Sequence, residues 1–418
     1  MPRKTSFSVI VVSRHRAEWL KRTLRSLRQQ QYQPFEVVVV ADEASLEALD
    51  RDCLKTVVFD QANIACARNL GIAVAAGDVC AFIDDDAAAE PLWLHRLAEA
   101  FDETDADAVV GFVRGRNGIS YQSRVSSVDA EGESHVEPSS LEAPAIPQVL
   151  AGRAIKLVGT NMAIRKAVLE ALSGFDETYR FFLEDADISM RLAAQGKCIA
   201  VAPLAEVHHG FAPSVRRTRQ RAPLDLFDIG RSTAYFLRKH AGGASDALWQ
   251  RLERREKSRM LKHMISGTCE PRDLLRRFEE LRNGWADGLR VNCPTTKTGF
   301  QQDLKFKNFE PASGQHRVFS SRWLSRRRAL LALANDAVER GDLASVFSFS
   351  LTPGRHHVRY TASGVWHQKG GIFGRSDRDM RAFRWCTFAE RVDQETRRVA
   401  KVRGIGKGAR SNRWDHSR

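Results

Sequence analysis

Apolar residues along the first 115 positions follow two rhythms. Runs at 7–12, 35–40, 79–83 and 108–113, apolar but for Ser8, Glu36 and Gly111, lack polar alternation, as expected of strands covered on both faces. Between them, Trp19, Leu20, Leu24 and Leu27 recur at helical spacing and predict a helix over 18–30. The pattern further predicts a short helix at 45–49, a strand at 56–59 and a helix over 64–75 closed by Gly77. Pro91 opens a helix running to Phe101, a position where its missing N–H costs nothing. Strands alternating with helices of this length predict an α/β fold, with a mainly parallel sheet covered by helices.

From 114 to about 150 the rhythm stops. The stretch is polar, with Asp129, Glu131 and Glu133 and three prolines, and predicts a surface insertion. Order returns with a strand at 161–165, helices at 166–172 and 185–195 stopped by Gly174 and Gly196, and a strand at 198–201. Beyond Pro213 come helical stretches at 224–240 and 248–264, and a strand at 346–351 before Pro353-Gly354. The expectation is an α/β domain over 1–212 with its insertion at 114–150. A basic region of unassigned kind follows over 213–418, mostly helical to about 290 and then mixed with some strand.

Charge sharpens that division. The 418 residues carry +14 overall, but the first 210 hold 22 Lys+Arg against 30 Asp+Glu, a balance of −8. The remainder holds 43 against 21, a balance of +22, which points to an anionic partner for the second half. No run approaches the ~20 apolar residues that cross a bilayer. The apolar run at 7–12 meets Arg14, His15, Arg16 and Glu18 at once, so it predicts a strand and no leader peptide. Seven scattered cysteines, Cys293 among them, form no Cys-x-x-Cys pair; this argues for a reducing, cytoplasmic setting.

In an open parallel sheet, ligands gather where strands end. The fourth strand ends in Asp84-Asp85-Asp86. Three adjacent acids repel one another, and a hard divalent cation such as Mg²⁺ or Mn²⁺ supplies a reason to collect them. A second acidic group, Glu184-Asp185-Ala186-Asp187, opens a helix. It serves either as general base for a hydroxyl or as a helix cap. His208-His209-Gly210 follows the last strand of the acidic half and offers imidazole to a metal or a phosphate.

Taken together, these segments resemble the family 2 glycosyltransferases of GT-A fold. The carriers are Ser8–Arg16, the strand with Asp42 at its end, Ala67-Arg68-Asn69-Leu70-Gly71, Asp84-Asp85-Asp86, Gly159-Thr160-Asn161, Gly174-Phe175-Asp176, Glu184–Leu192 and His208-His209-Gly210. The resemblance covers about Ser6 to Gly210 and implies transfer of a sugar from a nucleotide-diphospho-sugar donor with inversion. It implies donor contacts at Ser13, Arg16, Asp42, Arg68, Asp84 and Asn161. It also implies a Mg²⁺ or Mn²⁺ site at Asp84 and Asp86 with His208 or His209, and a base at Asp185 beside Glu184. The usual Gln-x-x-Arg-Trp segment is missing at its expected distance, which favours one sugar per encounter over processive synthesis. The expected acceptor is a cell-surface glycan or a lipid-linked sugar, met at the inner face of an anionic membrane. The alternative is an inert domain joined to a basic region that binds nucleic acid or an anionic surface; no nucleic-acid motif accompanies the basic runs, so nucleic acid is not the expected partner.

Overall fold

The computed structural model describes residues 4–138, 142–212, 216–218, 220–292, 304–406 and 411–413; Pro213 and Cys293 lie outside the described residues. The first half runs β1 (Phe7–Val12), α1 (Ala17–Leu27), β2 (Phe35–Ala41), α2 (Glu43–Glu47), β3 (Lys55–Val58), α3 (Ile64–Val74), β4 (Val79–Asp84), β5 (Ala87–Ala89), α4 (Trp93–Thr104) and β6 (Ala108–Arg114). It continues through β7 (Tyr121–Ser123), β8 (Ser126–Asp129), β9 (Ser134–Val136), β10 (Arg153–Ile155), β11 (Met162–Arg165), α5 (Lys166–Ala171), α6 (Glu184–Ala194) and β12 (Ile199–His209).

Nine of these strands form one sheet in the order β3-β2-β1-β4-β11-β6-β12-β5, with β7 on β6. The expected mainly parallel α/β sheet is present: β3, β2, β1, β4, β6 and β12 run one way, while β11, β5 and β7 oppose them. Two apolar clusters cover its faces. One is built on Val9, Val37, Trp93 and Phe101, the other on Ile10, Val38, Phe82 and Ile188. Every residue of β2 is buried, which explains why its valine run shows no alternation.

The region expected as a patternless insertion contains β7, β8 and β9, and β10-β8-β9 make a small sheet of their own. Strands of three or four residues are too short to show a period. The strand expected at 198–201 runs on to His209, with a register irregularity between Ala202 and Val207.

The second half opens with α7 (Phe227–His240), α8 (Asp246–Ile265) and α9 (Pro271–Arg290). Helices α7 and α9 cross so closely that a Cβ at Gly284 would lie 2.0 Å from the Phe227 carbonyl oxygen. Helix α7 is buried from Ile229 to Leu237, and its Tyr235 and Phe236 pack on Tyr179 and Leu183. Its apolar face is therefore spent inside the protein. Then come β13 (His316–Ser321), α10 (Arg327–Glu339), β14 (Leu343–Ser350), β15 (His357–Tyr360), β16 (Val365–Gly371), α11 (Phe388–Arg403) and β17 (Ser411–Arg413). Their sheet runs β15-β16-β14-β13-β17, parallel except for the β15–β16 pair. No described helix is long and apolar enough to cross a membrane.

Candidate active site

The register of the large sheet collects the acidic residues at one edge. Val12 of β1 lies opposite both Val40 of β2 and Asp84 of β4, so the turn at 13–16, Asp42 and the acid run meet at neighbouring strand ends. Asp85 is turned fully inward. It accepts a 2.6 Å bond from the Ser13 hydroxyl and pairs with Arg16. Burial pushes its pKa up to about 7, against the pull of Arg16. Ser13, expected to hold a nucleoside, is thus itself buried and bonded to the acid loop. Arg16 also reaches within 3.9 Å of Asp86.

Asp84 and Asp86 share a site with His209. Strand β12 pairs with β5 so that His209 faces Ala87 and His208 faces Ala88, and successive residues of a strand point to opposite faces. Nε2 of His209 lies 3.1 Å from Asp86 Oδ1, while its Nδ1 is 2.8 Å from Gln122 Oε1. The Ala212 N–H donates to the other Asp86 oxygen at 2.7 Å. Burial disfavours charge on both partners, but the His209 bond holds Asp86 down at about 2, and Asp86 raises His209 in return. One ligand atom each from Asp84, Asp86 and His209 lies within 4.8 Å of the others. Two carboxylate oxygens and an imidazole suit a divalent cation of the Mn²⁺ or Mg²⁺ kind. Gln122 fits this assignment, because a carbonyl accepting from Nδ1–H leaves the Nε2 lone pair for a metal.

His208 points the other way. Its Nε2 bonds Glu90 at 2.9 Å, and Glu90 with Glu206 forms a second acidic group around it. That group is already saturated by arginine. Arg403 of α11 grips both Glu90 oxygens at 2.8 and 3.0 Å, and Arg114 grips Glu206 at 2.9 and 2.8 Å with Tyr121 bonding at 2.6 Å. His208, expected beside Asp84 and Asp86, is thus not brought together with them: alternation along β12 directs its ring to this buried network.

On the other flank, Arg68 of α3 is buried and sits 3.2 Å from Glu184 and 3.9 Å from Asp84. The Thr160 hydroxyl donates to Asp84 at 2.5 Å. Glu184 and Asp185 begin α6, reached through left-handed residues Phe182 and Leu183. Burial raises the Glu184 carboxyl, helped by Asp185 and Asp84 and opposed by Arg68. Asp185 is half-buried, and among the described residues its side chain accepts the 2.8 Å bond of the Ala186 N–H through Oδ1. Asp187 is locked by Arg191, Lys239 and His240.

Two expected donor contacts turn inward. Asn161 is fully buried: its amide donates to the Phe112 and Ala205 carbonyls at 2.9 and 2.7 Å and accepts from Trp93 at 2.8 Å. It braces β6 and β12, and Thr160 is the residue of that segment that faces the acids. Asp42 caps α2 through Ser45 and accepts the His15 N–H at 2.6 Å. Burial works against its charge, but these bonds hold its pKa below the usual carboxylate value.

The turn, the acid run and the helix-borne arginine all fall within residues 8–173, and that segment matches the family described as Glycosyl transferase family 2. Residues 8–173 are a family 2 glycosyltransferase domain. The chain is similar to the glucosyl-dolichyl phosphate glucuronosyltransferase of Haloferax volcanii, 35% identical over 120 residues, covering 26% of this chain and 38% of that protein. It is similar to the pre-mycofactocin glycosyltransferase of Mycobacterium tuberculosis, 26% identical over 228 residues, covering 51% and 45%. A crystal structure of residues 1–349 of S. aureus TarS is 22% identical, with TM-score 0.39 and coverage of 55% and 65%. The chain thus spans less than half the length of these curated relatives. His209, Glu184 and Asp185 lie beyond the family 2 match, yet the fold returns them to its edge.

Sequence reasoning missed Thr160, Gln122 and the Glu90–Arg403 pair. Thr160 stood inside a recognised segment, and its place just before a strand was the available signal. The other two depend on contacts that no local pattern shows.

Proposed function

We propose that this protein transfers a single sugar from a nucleotide-diphosphate donor to an acceptor hydroxyl, with inversion, at the edge where β1, β4 and β12 end. The observation that carries this reading is the convergence of Asp84, Asp86 and His209 within 4.8 Å beside a family 2 domain. A divalent cation held there would offset charge on the departing diphosphate. Arg16 and Arg68 place fixed positive charge on either side of the same acids. The Oδ2 of Asp185 takes the proton of the attacking hydroxyl, and Glu184 holds Arg68 toward Asp84. Asp42, at the end of β2, lies where a nucleoside would stack against the β1 turn.

The acceptor in this reading is a glycan or a lipid-linked sugar. The +22 balance after residue 210, and exposed Phe383 and Trp385 beside Arg381 and Arg384, support contact with an anionic membrane face. The six described cysteines are all unpaired, which supports a cytoplasmic setting. No observation among the described residues favours the inert, nucleic-acid-binding alternative.

The test is turnover of UDP-, GDP- and dTDP-sugars with Mn²⁺, Mg²⁺ or EDTA, for the native chain and for Asp86→Ala. Expected is metal-dependent sugar release that falls by orders of magnitude in the variant with an unchanged fold. Full activity in EDTA, or in Asp86→Ala, overturns the reading.

A further inference from the structure

Beside His209 lies a cavity of about 580 Å³ that neither Arg68 nor Glu184 lines. Its floor is Trp19 and Arg22 of α1 with His209-Gly210-Phe211, and Arg116 stands at one side. Its opposite wall is not part of the family 2 domain. Strand β15 of the second sheet supplies Arg359 and Tyr360, held in place where the Val358 N–H donates to the Asn117 carbonyl at 2.9 Å. Neither Asp42, Arg68, Asp84 nor Asp185 lines it.

Arginines outnumber acids on the lining of this cavity. Arg22 makes no ion pair among the described residues. Its guanidinium carbon lies 5.3 Å from the Trp19 ring centre and 6.0 Å from that of Tyr360, and its buried Nε has no hydrogen-bond partner in the protein. Burial lowers its pKa, with Arg359 adding to the effect and Tyr360 and Asp86 opposing it. Arg359 is exposed and has no carboxylate partner among the described residues, and the buried Tyr360 hydroxyl has no hydrogen-bond partner there either. Glu18, the one acid on the wall, is held by Lys21 at 2.8 Å. Buried polar groups of native proteins rarely lack a partner, and a cationic cavity lined by aromatic rings suits a sugar carrying an oxyanion.

Building on the transfer reading above, we propose that this cavity binds a carboxylate or phosphate group borne by a sugar substrate, held by Arg22 and Arg359 across the gap between the two sheets. The Trp19 and Tyr360 rings offer apolar faces to the sugar, while the two guanidiniums take the oxyanion. Specificity for a charged sugar would then come from the second half of the chain, through a strand that the family 2 domain lacks.

Calorimetric titration of the full chain with Mn²⁺ tests this with two matched pairs. UDP-glucuronate against UDP-glucose reads an anion carried by the donor. Glucose 1-phosphate and methyl glucuronide against methyl glucoside read one carried by the acceptor. Expected is a tenfold or greater preference for the charged member of at least one pair, lost in Arg359→Ala and in Arg22→Gln with the thermal midpoint unmoved. The pair that responds identifies the source. Equal binding of charged and neutral members in both pairs, or a preference that survives both variants, overturns the proposal. If charged sugars are preferred and the preference needs these arginines, but no nucleotide-sugar is turned over, the transfer reading fails and the cavity assignment stands.

Discussion

Replacing Glu90 by Gln should destabilise the protein far more than a change of one atom suggests. The carboxylate is 1% exposed, as is Arg403, and the two make a two-pronged contact at 2.8 and 3.0 Å across 313 residues of chain. His208 adds a third bond at 2.9 Å, and Arg403 stacks 4.5 Å over Trp366. Glutamine would leave a buried guanidinium without a counter-charge, which costs about 3–5 kcal/mol. At about 2–4 °C per kcal/mol for a cooperative unit of 150–250 residues, the melting midpoint should fall by roughly 6–20 °C. The double variant Glu90→Met with Arg403→Met removes both charges and should lose much less than the two single variants summed. The pH dependence has a defined sign. Burial alone would raise the Glu90 pKa, but Arg403 and His208 depress it well below its ordinary 4.5. The stabilisation is therefore complete above about pH 4.5 and drains away as pH falls toward the depressed value. Glu90→Gln should flatten that acid limb. Circular dichroism melts across pH 3–7 measure both effects, and a midpoint within about 2 °C of the native chain at neutral pH would refute the argument.

Asp185→Asn should leave nucleotide-diphosphate affinity nearly unchanged while turnover collapses, as expected of a group needed only in the chemical step; steady-state kinetics with a binding titration decide it, and an inactive Glu184→Gln beside an active Asp185→Asn would shift the base by one residue. Gly111→Ala puts a Cβ 2.2 Å from the Ala205 carbonyl oxygen and 2.4 Å from the Asn161 amide, so it should lower stability by about 1–3 kcal/mol in a urea melt. Co-sedimentation with anionic vesicles should weaken as salt rises and weaken again in Trp385→Ser, whereas no binding at low salt would rule out membrane docking and leave a glycan acceptor.

The alternating strands and helices up to Arg114 were legible because parallel strands buried on both faces give mostly apolar runs without alternation. Strand β5 was not. Its three alanines carry no strand preference, and only pairing with β12 makes them a strand. The far part of β12 was hidden by Pro203, and most of the second sheet by strands such as β15, whose exposed and buried residues alternate over only four positions. At the site, Asp84 and Asp86 could be read from their place at a strand end. Adjacent His208 and His209 could not be told apart, because the strand carrying them was itself unseen. Asn161 misled for a related reason: its segment was identified correctly, but which of its side chains turned inward depended on β6 and β12.

The irregularity in β12 decides which histidine does what. Before it, Ile199 to Ala202 pair with Ala108 to Gly111; after it, Val207 and His208 pair with Val113 and Arg114. Four residues separate Ala202 from Val207 where the partner strand has one, so the extra chain between them sets the phase of everything downstream. Deleting a single residue there would leave every side chain chemically intact and still exchange the faces of His208 and His209. The ring meant for Asp86 would turn toward Glu90, and the reverse. Leu204 alone of the four residues between Ala202 and Val207 is not buried, and Glu206 is held by Arg114 and Tyr121, so composition is constrained here as well as the parity of the loop's length.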